Sequence, residues 1–280
     1  QQVAKYRRWH EPEVEFIEER QLRDYAFTRI NPWGWDRALA YSLRRHGVDE
    51  GLLPKAEVLK RVREESHRRT AMHLLAQIGI SEAFECSTLN AIHDLIYKYN
   101  KVVAKAPWSS SGRGIRFLDD TLDEHTQGWL RNTLRHQGTV MIEPLYNKVM
   151  DFGMEFYRYP DGKVEYLGLS LFQTVNGAYT GNLLATETVK RDILSRYISL
   201  DDLDAFTSAA CDYLGANLSY TGPFGIDMMA LEGRRLALAE INLRRTMGHV
   251  ALAISPLDDD IHRVMHIETG NIYKLKIRRR

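Results

Sequence analysis

Cysteine is nearly absent: Cys86 and Cys211 are the only two in 280 residues. They match no metal-ligand spacing and cannot build a disulfide framework, so two free thiols fit a reducing compartment. No run of about 18 apolar residues exists, which excludes a membrane-spanning helix. Net charge is nearly absent too, at +1. No global field therefore draws the chain to nucleic acid or to a membrane surface, and the aromatic–basic pattern of a nucleic-acid-binding sheet is missing. There is no internal repeat, low-complexity tract or visible leader. Because the sequence begins at Gln1 and not at methionine, the missing leader weighs little. The ten histidines are scattered, with none paired at metal spacing, and read as structural or surface groups. The expectation is a cytoplasmic protein with no nucleic-acid and no membrane partner.

What is present is ordinary for a globular chain of one or two domains: 44% hydrophobic and 27% charged residues. The first 56 residues are polar and aromatic, with Asn31-Pro32-Trp33-Gly34-Trp35 reading as a turn. Helical periodicity follows through Ala38, Leu39 and Leu43, up to Gly47. A long helix is expected from Pro54 to Gln77, stopped by Gly79. Another is expected from Ser87 to Tyr99, with Leu89, Ile92, Leu95 and Ile96 on one face. Strands are then expected at Lys101–Lys105 and Thr139–Glu143. A hairpin is expected from Met154 to Leu171 around Asp161-Gly162, a helix over Leu200–Leu214, and a second hairpin from Gly225 to Asn242 around Gly233. Helices and hairpins mix without βαβ alternation, which predicts an α+β fold with antiparallel sheets. Residues Lys274–Arg280 read as a solvated basic tail.

Three constellations carry chemistry. In the first, Lys105 ends a strand and precedes a loop with Ser109, Ser110, Ser111, Gly112, Arg113 and Gly114. Glycines let backbone N–H groups approach an anion, and a lysine adds a point charge for phosphate. The competing interpretation is a flexible solvated loop. In the second, a turn centred between Gly233 and Arg234 sets Asp227 directly opposite Glu240, and alternation puts Asn242 on the same face. Opposed like charges destabilise a hairpin, and a divalent cation with a preference for oxygen would remove the conflict. A salt bridge from Glu240 to Arg244 is the alternative. In the third, the strand Val140–Leu145 ends at Glu143 and Pro144, where a hinge can present backbone groups to a flat base. An ordinary strand-to-loop transition explains the same residues.

In this order and spacing the pieces resemble the ATP-grasp superfamily over roughly residues 57–255. Relatives include D-alanine–D-alanine ligase, glutathione synthetase, biotin carboxylase and the carbamoyl-phosphate synthetase large subunit. The most specific element is Gly225-Ile226-Asp227 with Ala239-Glu240-Ile241-Asn242-Leu243-Arg244. It is similar to a signature in which Asp, Glu and Asn hold Mg²⁺. The resemblance implies two α+β lobes gripping a nucleotide, over residues 57–143 and 144–280. Residues 1–56 would form a truncated or divergent segment ahead of them. It implies ATP with Mg²⁺ or Mn²⁺ as cofactors, Asp227, Glu240 and Asn242 as metal ligands, and Arg244 and Lys105 as catalytic residues.

Nucleotide contacts are implied for Lys105, Ser109–Gly114, the hinge residues Glu143 and Leu145, and Asp151 at the ribose. A second phosphate lysine of the family is replaced by an arginine at His67-Arg68-Arg69, either Arg68 or Arg69, with Arg69 as the candidate. Gly225 stands where some ligases carry an arginine. The implied activity is Mg-dependent ligation of a small-molecule carboxylate to an amine through an acylphosphate, forming ADP and phosphate. A homo-oligomer is compatible with it. The segment Phe172–Asn182 reads as a loop that contacts substrate or merely connects elements, and Arg245, Thr246 and His249 are candidates for the same cavity. A kinase acting on a hydroxyl acceptor, and a nucleotide-binding module without catalysis, are the competing functions.

Overall fold

The computed structural model describes residues 15, 17–109, 114–175, 178–268 and 274–279. Three four-stranded antiparallel sheets and eight α-helices organise these residues. The antiparallel α+β architecture expected from the sequence is what the chain adopts. None of the described helices is long and apolar enough to cross a membrane.

After two short 3-10 turns and α1 (Arg37–Arg45) come α2 (Ala56–Glu65) and α3 (Arg69–Ile78). The single helix expected over Pro54–Gln77 is thus broken at Ser66-His67-Arg68. Ser66 Oγ bonds back to Val62 O at 2.6 Å and ends α2. The buried His67 ring accepts the Arg69 N–H at 3.0 Å and restarts the chain as α3. The break frees Arg68 to point away from both helices. Gly79, left-handed at φ 74°, stops α3 as expected.

The first sheet has the order β1 (Phe84–Cys86), β4 (Val140–Pro144), β2 (Val102–Lys105), β3 (Ile115–Leu118). α4 (Leu89–Tyr99) and α5 (Glu124–Gln137) cover one face, and Ile92, Ile96, Leu130, Val102, Ala104, Val140 and Ile142 form its core. Alternation leaves Val103 and Lys105 of β2, with their partners Glu143 and Met141 of β4, on the other face.

The second sheet has the order β10 (Arg235–Asn242), β9 (Gly222–Leu231), β5 (Lys148–Arg158), β6 (Val164–Ser170). Phe152, Met154 and Phe156 of β5 and Phe224, Ile226, Met228 and Ala230 of β9 point into the largest core. Leu203, Phe206, Ala210 and Leu214 of α7 (Leu200–Asn217) and Ala71, Leu74 and Leu75 of α3 meet them there. The alternate residues Asp151, Gly153 and Glu155 of β5 and Gly225 and Asp227 of β9 fall on the opposite face.

The third sheet, β12 (Lys274–Arg279), β11 (Arg263–Glu268), β8 (Ala178–Leu184), β7 (Phe172–Val175), was not foreseen. The segment expected as a loop over Phe172–Asn182 is the β7–β8 hairpin, with Asn176 and Gly177 outside the described residues. The expected basic tail is β12, paired along β11 from Arg263↔Arg279 to Glu268↔Lys274. Leu275 and Ile277 pack with Met265, Leu184 and Ala251 of α8 (Met247–Ile254), so the apolar residues between the lysines are what anchor the strand. Between the second and third sheets the chain forms α6 (Glu187–Ser195).

β8 and β11 approach so closely at Gly181 that a Cβ there would strike Met265 O, which is backbone. We expect Gly181→Ala to loosen this pairing and destabilise the protein by about 1–3 kcal/mol, the usual cost of overpacking. Amide exchange should accelerate across β11 and β12 and stay unchanged in the first sheet. Equal protection of β11 in both proteins would contradict this account of the third sheet.

Candidate active site

The face of the first sheet that carries Lys105 meets the second sheet at β10, where Lys105 Nζ donates to Ala239 O. Asp227 and Glu240 are Cα partners as expected, but the turn is centred on Gly233 and not between Gly233 and Arg234, so the turn alone would set Ala239 opposite Asp227. The route to that pairing differs from a regular hairpin. Near the turn Leu238 pairs with Met228, and the register slips at Ala239 before Glu240 meets Asp227. Leu236 and Leu238 point into the core, and so do Ile241 and Leu243. A strand of strict alternation would carry Glu240 to the core side with Leu236 and Leu238. The one-residue bulge reverses the parity and turns Glu240 and Asn242 onto the face of Asp227.

Two carboxylates now oppose each other, with the Asn242 amide beside them. Asn242 Nδ2 donates to Asp227 Oδ2 at 3.0 Å. Asp227 retains some solvent contact but sits deep among protein atoms. That burial, then the charges of Glu240 and Glu155, push its carboxyl up to about 7, against a smaller lowering by Asn242 and Arg244.

Cations answer this negative face. Arg68 Nη2 lies 3.1 Å from Glu240 Oε2 and 3.3 Å from Ser109 Oγ, while its Nε donates to Ala106 O at 3.1 Å. Arg69, the candidate at this position, instead turns to Glu85, with Nε 2.9 Å from Oε2 and Nη2 on Oε1. The break between α2 and α3 aims the two consecutive side chains at different neighbours, Arg68 at Glu240 and Arg69 at Glu85. Lys105 Nζ is 2.7 Å from Glu143 Oε2 and 3.1 Å from Ala239 O, the bulge carbonyl. One lysine thereby ties the first sheet to the second. Arg244 does not reach Glu240: its Nη2 donates to Asn242 Oδ1 at 2.8 Å and its Nη1 to Arg245 O at 3.0 Å. The salt bridge on Glu240 exists, but its partner is Arg68.

The remaining candidates divide. Ser109 and Gly114 stand at the base of the hydroxyl-rich loop, where Gly114 O accepts the Ala106 N–H at 2.8 Å. Ser110, Ser111, Gly112 and Arg113 lie outside the described residues. Glu143 is buried and engaged by Lys105. The Leu145 N–H, expected to face a base, donates to Lys101 O at 3.0 Å. Asp151 accepts from Lys148 Nζ at 2.6 Å and from Thr174 Oγ1 of β7 at 3.3 Å.

One group escaped the sequence reading. Glu155 is almost fully buried, two residues beyond Gly153 on the same face, with its Oε2 2.8 Å from His249 Nδ1. Its alternation with Phe152, Met154 and Phe156 was the signal that could have found it.

Among the described residues no three His, Cys, Asp or Glu side chains converge on one point. A cation here would take two carboxylates and an amide and complete its shell with water or phosphate. That donor chemistry fits Mg²⁺, which keeps several waters and prefers oxygen.

No protein-family model and no curated protein matches the sequence. Solved structures do resemble the fold. Carboxyaminoimidazole ribonucleotide synthase from Aspergillus clavatus, complexed with ATP, superposes with a TM-score of 0.52 at 12% identity, covering 81% of this chain and 62% of that one. N5-carboxyaminoimidazole ribonucleotide synthetase from Thermus thermophilus gives 0.51 at 15%, covering 83% and 64%. Biotin carboxylase from Campylobacter jejuni, in a complex with β,γ-ATP, gives 0.51 at 13%, covering 75% and 52%. This chain has the ATP-grasp fold. Identity this low speaks for architecture alone, and the chain spans less than two thirds of the length of each of these three proteins. The Asp227–Glu240 face belongs to the second sheet and the Lys105 face to the first.

The raised Asp227 carboxyl has a signed consequence. Its ordinary value is 3.8 and its folded value is about 7. The folded state therefore holds an extra proton between those limits. The stability it contributes is full below pH about 4 and is lost as pH rises towards 7. Melting curves from pH 4 to 8 should show the wild type falling relative to Asp227→Asn, by on the order of 2 kcal/mol after partial exposure is discounted. Parallel curves would mean that Asp227 titrates normally.

Proposed function

We propose that this chain is an ATP-dependent ligase that joins a carboxylate to an amine through an acylphosphate. The observation that supports it best is the facing arrangement of Asp227, Glu240 and Asn242 on one sheet with Lys105 and Arg68 across the cleft. Opposed carboxylates under two cations suit a magnesium-bound polyphosphate. Asp227, Glu240 and Asn242 would hold Mg²⁺ or Mn²⁺. Such an ion would supply positive charge to offset the negative charge of a bound polyphosphate.

The chain's own groups would act by position and charge. Lys105 and Arg68 would exchange their carboxylate partners for phosphate oxygens, and Asp151 would receive the ribose. The γ-phosphoryl group passes from ATP to a substrate carboxylate oxygen, with the broken P–O bond leaving its electrons on ADP. The amine then attacks the carbonyl carbon. Phosphate departs with the C–O electrons, and the nitrogen loses a proton to give the amide. Arg244, held on Asn242, would face the charge that develops on the transferred group. The hydroxyl-rich loop from Ser109 to Gly114 would exclude water, which otherwise hydrolyses the acylphosphate.

The deciding experiment incubates the protein with MgATP and pooled amino acids and small carboxylates, reading ADP, phosphate and new amide. Release of ADP and phosphate with an amide product supports the ligase. ADP with the phosphate retained on a product would make it a kinase, and nucleotide binding without turnover of any pool would make it a binding module.

Lys105 separates structure from chemistry. Lys105→Met leaves the buried Glu143 unpaired and should cost about 3–5 kcal/mol. Lys105→Met with Glu143→Gln should recover most of that stability. Turnover should remain on the order of 10²-fold down in both. Restored turnover in the double variant would remove Lys105 from the phosphate site.

A further inference from the structure

Four residues ahead of α1, more than 200 positions away in sequence, hold the two arginines that follow the metal-ligand strand. The Arg245 N–H donates to Trp33 O at 2.8 Å. The Arg245 guanidinium reaches Pro32 O at 2.7 Å and Asn31 Oδ1 at 3.0 Å, both through Nη1. Gly34 lies directly on Arg244. A Cβ at position 34 would stand 2.7 Å from Arg244 Cβ, with Arg244 Cα at 3.7 Å and Cδ at 3.8 Å. Position 34 needs no left-handed backbone, because Gly34 is not among the positive-φ glycines. Contact with Arg244 is what a side chain at this position would meet, and the atom struck first is the root of that side chain, which cannot swing aside.

The contacts form a continuous path. Trp33 O fixes the N–H of Arg245, the carbonyl of the same residue accepts Arg244 Nη1, and Arg244 Nη2 ends on Asn242 Oδ1. We propose that Asn31–Gly34 is a positioning element for Arg244, setting the guanidinium at the γ-phosphoryl and acceptor end of the cleft. This rests on the ligase site proposed above. The segment leaves the other cations alone: Lys105 is set by Glu143 and Ala239, and Arg68 by Ala106, Ser109 and Glu240. Disturbing it should weaken recognition of a γ-phosphoryl group and spare the α- and β-phosphates.

MgADP with and without beryllium fluoride, which adds a γ-phosphoryl mimic, is the probe. Titration calorimetry would follow the wild type, Gly34→Val, Asn31→Ala and Arg244→Met, with melting curves of each protein alone. In the wild type, fluoride should tighten MgADP by on the order of tenfold or more. Arg244→Met and Gly34→Val should lose most of that gain, and Asn31→Ala part of it, while Gly34→Val and Asn31→Ala bind MgADP alone within about twofold of wild type. Gly34→Ala should fall between Gly34→Val and the wild type. If Gly34→Val does not melt cooperatively, Asn31→Ala carries the test. Full retention of the fluoride gain in the folded Gly34 and Asn31 variants overturns the proposal, as does retention in Arg244→Met. A loss of MgADP affinity equal to the loss of the fluoride gain overturns it too, because the segment would then support the whole cleft. A wild type that binds no MgADP at all sinks the site itself, a different failure from the others.

Discussion

Two carboxylates placed opposite each other on a hairpin constrain everything around them. Asp227 and Glu240 repel, and neither can turn away, because the core on the reverse face holds their neighbours Ile226, Met228, Ile241 and Leu243. The molecule answers with one internal counterion, Arg68 on Glu240, and one neutral donor, the Asn242 amide on Asp227. Lys105 is engaged in the same way by Glu143. A ligand that brings both a cation and phosphates can replace both sets of partners at once. Either component alone leaves one set of charges uncompensated. This is why a metal–polyphosphate pair suits the site better than a free anion or a free metal.

The opposition of Asp227 and Glu240 was expected from a turn centred between Gly233 and Arg234, whereas the turn is centred on Gly233 and a register shift completes the pairing. The device that produces it was not foreseen. Leu236, Leu238, Ile241 and Leu243 are all apolar and all point inward, so their spacing changes parity between Leu238 and Ile241. That change is the trace of the bulge. It is readable only if one asks which apolar residues share a face, not which polar ones do. The bulge also frees the Ala239 carbonyl to meet Lys105, so one irregularity both orients the acids and docks the first sheet.

Other parts were hidden for physical reasons. The β12 strand alternates lysine and arginine with Leu275 and Ile277, a pattern that composition assigns to a solvated tail. Its strand character comes from pairing with β11 and from α8 beneath it, which are distant in sequence. The divergence of Arg68 and Arg69 comes from a helix break. Both residues have good helix propensity, and the break is stabilised by the buried ring of His67 and by Ser66 bonding to its own helix. The β7–β8 hairpin has polar residues on an exposed strand, and that polarity outweighed the Asn-Gly pair in the sequence, a hairpin signal.

The position of Arg68 links these levels. Its side chain touches Ala106 O and Ser109 Oγ at the base of the loop, and Glu240 on the opposite sheet. In the proposed reaction Glu240 turns to a cation, and Arg68 loses its only carboxylate partner among the described residues. A buried guanidinium cannot stay unpaired at low cost, so it must follow the nearest available anion, the nucleotide phosphate. Its contact with Ser109 carries that shift to the loop's first hydroxyl. A single side chain therefore joins the acid of the second sheet to the residue at the base of the loop on the first. Replacing that one ion pair by another needs no rearrangement of either sheet.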